Sequence, residues 1–210
     1  MTRLFVDEQE IPFPILATTS LEQVVSHVEN THLPAASVIK QIHLDGQPLV
    51  SDGFMNDPSR LAQAIENRDR IDVFTGTVGE IARDSIREAV CYLDRIEAVT
   101  PSLAASFHLS PGPEAFSNLK QFYEGFYWLT ILLGRLETTF HIRMANIVVG
   151  GIPVEEHNRK FVIILRQIVE AMEREDCVLI ADLLEYEILP LVPNWKDMFN
   201  VLAAEVDSAN

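Results

Sequence analysis

Phe116-Ser117-Asn118-Leu119-Lys120-Gln121-Phe122-Tyr123-Glu124-Gly125-Phe126-Tyr127-Trp128-Leu129-Thr130-Ile131-Leu132-Leu133-Gly134-Arg135-Leu136-Glu137-Thr138-Thr139-Phe140 is the stretch that decides the fold. Leu119, Phe122, Phe126, Leu129, Leu133, Leu136 and Phe140 follow at spacings of three and four, a helical seam held for three heptads. Tyr123, Tyr127, Trp128, Ile131 and Leu132 run beside it, so the apolar face is wider than a surface helix needs. Such a helix must be covered on most sides, by its own chain, by a partner or by both. It reads as the spine of a helical domain that can continue to Asn146.

Upstream of residue 76 the pattern is different. Arg3 to Val6 reads as a strand, Asp7-Glu8-Gln9-Glu10 as a turn, and Ile11 to Leu16 as a second strand that Pro12 and Pro14 confine to an edge. Thr19-Ser20-Leu21-Glu22 fits a capping box with Thr19 as cap, and it opens a helix with Leu21, Val24, Val25 and Val28 inward. Ile39 to Leu44 is a strand, Asp45-Gly46 a hairpin turn, and Gln47 to Val50 its return. A loop over 51–57, a short helix over 58–67 and a strand from Arg70 to Phe74 complete the segment.

This order and spacing resemble the ubiquitin-like β-grasp fold. The opening hairpin, the helix, Ile42-His43-Leu44-Asp45-Gly46-Gln47-Pro48-Leu49 and Ile71-Asp72-Val73-Phe74 carry the resemblance, which covers residues 1–76. It implies a small scaffold used for protein contacts. Conjugation as a modifier does not follow, because the chain runs on past Gly76 where ubiquitin ends in a free diglycine. His43 stands where the exposed isoleucine of ubiquitin's docking patch would align.

Beyond Gly76 the period changes from two to about 3.6. Val78 to Ala98 is expected as a helix with Ala82, Ile86, Ala89, Leu93 and Ile96 inward, followed by a linker over 100–113 with Pro101, Pro111 and Pro113. After the spine, 148–153 reads as a loop and 154–173 as a third helix with Phe161, Leu165, Ile168 and Met172 inward. Cys177 to Leu189 is a fourth, with Pro190 and Pro193 expected to kink or break it before a last helix from Trp195 to Val206. The fold class is therefore α+β, with a β-grasp domain (1–76) followed by an all-α bundle of four to five helices (77–210). Tyr127-Trp128-Leu129 together with the run from Cys177 to Pro190 is similar to small bacterial helical proteins of unassigned function. That resemblance implies a bacterial origin and no activity.

The net charge is −15, with −6 before and −9 after residue 76, so acidity is spread over both parts. An acidic surface repels phosphate backbones and anionic lipid, which argues against nucleic acid and membrane partners. Cys91 and Cys177 make no disulfide framework, and no apolar run suits a signal peptide or a span. Cytoplasmic residence is expected.

No catalytic constellation, cofactor loop or metal motif stands out. Gly150-Gly151 lacks the spacing of a phosphate loop and reads as a turn. Glu137 and His141, one helical turn apart, with Glu155, Glu156, His157, Asp182, Glu185 and Glu187 are the residues from which a bundle metal site or enzyme would be built, but residues 77–210 contain no Glu-x-x-His spacing. Tyr127 and Trp128 also suit a ligand pocket between helices. The leading expectation is a non-enzymatic protein that binds protein, adaptor or chaperone-like, and a homodimer through Tyr123, Tyr127, Trp128 and Ile131. The competing expectation is that the final segment, with Trp195 and Phe199, folds over that strip.

Overall fold

The computed structural model describes residues 2–16, 19–33, 37–49, 68–109 and 111–209. It divides into two compact units, Met1–Ile81 and Ala82–Asn210. The architecture is α+β: a small mixed sheet with a helix against it, then a helical part. The expected loop at 51–57 and helix at 58–67 lie outside the described residues.

In the first unit, β1 (Arg3–Val6), β2 (Gln9–Ile11), β3 (Ser37–Leu44), β4 (Gln47–Pro48) and β5 (Arg70–Thr77) form a five-stranded sheet in the order β2-β1-β5-β3-β4, and α1 (Leu21–Thr31) packs on it. Among the described strands of this sheet only β1 and β5 pair in parallel. Alternation sends Leu4, Val6, Ile42, Ile71 and Val73 to one face, where Leu21, Val24, Val25 and Val28 of α1 complete the core. Phe5, Asp72 and His43 are register partners on the opposite face. There the Arg70 guanidinium lies 3.9 Å over the Phe5 ring and grips Asp72 through Nε and Nη2 at 2.6–2.9 Å.

Two expectations for this unit are corrected. The second strand is Gln9–Ile11 and not Ile11 to Leu16, because Asp7 and Glu8 both take left-handed φ in a two-residue turn and Pro12 and Pro14 supply no ladder N–H. The helix cap is Ser20, not Thr19. Ser20 Oγ accepts from the Gln23 amide while the Gln23 side chain accepts from the Ser20 amide. The Thr19 hydroxyl is engaged one residue earlier, accepting from the Leu16 amide at 2.9 Å.

The helical part comprises α2 (Val78–Leu109), α3 (Pro113–Phe140), α4 (Val154–Glu173), α5 (Cys177–Asp182) and α6 (Leu189–Ala209). Thr77 and Glu80 form a reciprocal capping box at the start of α2. Residues 100–109 of the expected linker over 100–113 are instead the last turns of α2, which runs through Pro101, and Pro113 already opens α3. An interior proline costs about 3 kcal/mol. Burying Leu103, Ala104 and Phe107 beyond it offsets that, since a large apolar side chain gains about 1.5–3 kcal/mol. α3 ends at His141, in the left-handed conformation, so the spine does not reach Asn146. The segment 148–153 is a hairpin, β6 (Val148–Val149) and β7 (Ile152–Pro153), because Gly150 and Gly151 both adopt positive φ.

Pro190 and Pro193 do not break the last helix. A π-helical segment, Leu183–Ile188, joins α5 to α6. Its wider turn relieves the clash between the Pro190 ring and the preceding carbonyls, and the Leu189 amide bonds the Leu184 carbonyl five residues back. Trp195 and Phe199 are fully buried, with the Trp195 ring 4.4 Å from that of Phe161. They fill the core and do not lie over the exposed part of the spine.

Candidate functional site

The α3 seam, Leu119 through Leu136, is buried in the helical core, with Phe140 half-buried against it. The second strip is different. The Tyr123 and Tyr127 rings lie parallel, 6.5 Å apart with 6° between their planes. Tyr123 is half-buried, whereas Tyr127 is 54% and Ile131 is 37% exposed. Trp128 does not belong to this face. It turns about 100° round the helix and meets the Tyr92 ring edge-on at 6.5 Å.

The exposed face extends at helical spacing from Tyr127 to Glu124 and Lys120 in one direction and to Gly134 and Arg135 in the other. Lys120 Nζ is 3.7 Å from the Glu124 carboxylate. Nothing lies within 4 Å of where a Cβ at Gly134 would stand. Reading the sequence for apolar residues alone missed these charged and small neighbours. Their signal was the four- and three-residue spacing from Lys120 to Arg135.

A groove of about 660 Å³ runs between α2 and α3. Ile96, Leu103, Ala115 and Phe122 form its floor, and Ser102, Ser106, Asn118 and Gln121 are among its polar rim. Tyr92 closes one end, its hydroxyl donating to the Phe122 carbonyl at 3.0 Å. Burial pushes the Tyr92 phenol well above its ordinary pKa, which keeps it a donor. Glu114 is the one charged residue among the described residues lining this groove. Tyr127 and Trp128 do not line it.

The residues of the bundle metal reading are not gathered. His157 is 2% exposed and its Nε2 is 2.9 Å from the Val149 carbonyl, where it pins the β6–β7 hairpin to α4. Glu156 pairs with Arg159, which holds its carboxyl below the usual carboxylate range. Glu185 lies 3.6 Å from His108 at the end of α2. Glu137, His141, Glu155 and Glu187 are exposed. Among the described residues no three His, Cys, Asp or Glu side chains come together as a metal site. None of the described helices is long and apolar enough to cross a membrane.

These features define an α+β protein whose helical part carries a buried seam and an exposed aromatic strip on one helix. Residues 84–198 match the model of the family described as Domain of unknown function (DUF8042), and the chain belongs to that family. No curated protein and no solved structure matches it.

Proposed function

We propose that this is a non-enzymatic protein of the bacterial cytoplasm that works by binding protein, in an adaptor or chaperone-like role, and that it pairs with a second copy through α3. The observation that carries the reading is the exposure of Tyr127 and Ile131 on a helix whose other apolar face is already covered. Aromatic residues are enriched in interface cores, and two-fold dimers are the commonest soluble assemblies. The strand order β2-β1-β5-β3-β4 with its parallel central pair supports reading the first unit as a ubiquitin-like β-grasp scaffold. Its outer face, plated by Arg70 over Phe5 and Asp72, differs from an open apolar patch, so contacts there would be polar. Free thiols at Cys91 and Cys177 suit a reducing compartment. Light scattering at micromolar concentration tests the pairing. A mass twice 23.7 kDa supports it, and a mass of 23.7 kDa overturns it.

The groove between α2 and α3 favours a second reading, a binder of an uncharged small molecule. Ligand pockets of this size are lined mainly by apolar side chains with a few placed polar groups. Native mass spectrometry of gently purified protein tests it: a stoichiometric adduct that Ala115→Trp abolishes supports the reading, and bare protein with no such adduct counts against it.

A further inference from the structure

We infer that the two copies meet with their α3 helices antiparallel, about a two-fold axis that crosses the exposed face at the level of residue 129, so that Tyr127 packs on the partner's Ile131 and Glu124 meets the partner's Arg135. This rests on the self-association proposed above and adds its geometry. At about 100° per residue, Lys120, Glu124, Tyr127, Ile131 and Arg135 fall within an arc of about 80° and share one face. In an antiparallel two-fold pairing, facing positions have a constant sum of residue numbers. Tyr127 and Ile131 are centred on residue 129 and Glu124 and Arg135 half a residue further on, so one axis serves both pairs to within about 1 Å of helix rise. The same axis sets Glu124 beside the partner's Gly134, whose Cβ position is open, and that lets the backbones approach.

Charge selects this arrangement over its alternatives. A parallel pairing in register would place Lys120, Glu124 and Arg135 each against its own copy, three like-charge contacts. The antiparallel one converts Glu124 and Arg135 into two symmetric opposite-charge contacts. Charge also selects the occupant. Lys120, Glu124 and Arg135 sum to +1 in a chain of −15, so two acidic copies can approach through this face without adding like-charge repulsion at the contact. A strongly basic partner would find less to attract it here than elsewhere on the surface.

The test is the dimer dissociation constant of four full-length proteins, by sedimentation or dilution light scattering: wild type, Glu124→Arg, Arg135→Glu and the double variant. All substituted side chains are exposed, and circular dichroism checks that each variant folds. Each single reversal creates two like-charge contacts and should weaken the dimer roughly tenfold, whereas the double variant restores opposite charges and should return to within roughly threefold of wild type. Single reversals without effect, or a double variant weaker than either single one, overturn the antiparallel register while leaving self-association standing. A monomeric wild type overturns both.

Discussion

The Tyr92 side chain occupies the space that any side chain at residue 125 would need: a Cβ on Gly125 would lie 2.0 Å from the Tyr92 hydroxyl oxygen. The ring cannot easily yield. Its hydroxyl is bonded to the Phe122 carbonyl, and its edges meet Phe126 and Trp128. α3 thus carries a glycine in mid-helix because α2 presents a tyrosine to it.

Two effects oppose each other in Gly125→Ala. Alanine gains about 1 kcal/mol of helix propensity, but overpacking costs about 1–3 kcal/mol. The clash should win in the wild-type background and lower the melting temperature. With Tyr92→Ala in place, the same substitution should stabilise by about 1 kcal/mol. Equal effects of Gly125→Ala in both backgrounds, by thermal or urea unfolding, would refute the contact.

Tyr127→Glu should leave the helical content unchanged, since the side chain is more than half exposed, and should shift the assembly toward monomer. Burying a carboxylate without a partner costs several kcal/mol, so a rise in dissociation constant of at least roughly a hundredfold is expected. An unchanged mass profile on dilution would remove α3 from the interface.

Residues 1–81 should fold as an isolated fragment, because the core of the first unit is supplied by residues Leu4 through Val73. Dispersed amide resonances are expected, and random-coil dispersion would count against it. Within the fragment, Ser20→Ala should cost about 1 kcal/mol through loss of the cap. Thr19→Ala should not mimic it at the helix terminus, because the Thr19 hydroxyl serves Leu16.

Lys196 Nζ sits 2.6 Å from both Asp94 and Glu97 and is 19% exposed, and these two hydrogen bonds raise its pKa above 10.5. A cation with a raised folded pKa contributes stability that is present below the unfolded pKa and lost as pH rises through the folded one. The stability gap between wild type and Lys196→Met should therefore be constant through neutral pH and close above pH 10.5. Both acids are about half exposed, so the gap should stay within about 1 kcal/mol and shrink in high salt. A gap of the same size at every pH, with no narrowing as the lysine loses its proton, would assign the effect to packing of the lysine stem.

The buried seam of α3, the core stripe of α4 and the Asp45-Gly46 hairpin were legible because each is a strong periodic or turn pattern with one reading. The cap of α1 was ambiguous, since Thr19-x-x-Glu22 and Ser20-x-x-Gln23 both fit the motif and only the Leu16 contact separates them. Pro101, Pro190 and Pro193 looked like breaks because local sequence does not show the tertiary burial of Phe107 and Trp195 that carries the helices through them. At the candidate site, the aromatic strip was legible as excess width of an apolar face. Trp128 was misplaced with it because sequence adjacency to Tyr127 conceals a turn of about 100°.

The π-helical segment also governs which insertions and deletions this chain can accept. Ile180, Leu184, Ile188 and Val192 are all buried although they recur every four residues, a spacing that drifts about 120° over twelve residues of regular α-helix. The wider π turn takes up that drift. Deleting one residue between Leu183 and Ile188 would let this turn close into ordinary α-helix with the same net rotation and keep Trp195, Phe199 and Leu202 facing the core, whereas one deletion from the regular helix just after it would rotate everything beyond by about 100°. The frame of the C-terminal helix is thus set with one residue more than a regular helix would need, so loss of a single residue is better tolerated within this turn than in the regular helix between it and Val206.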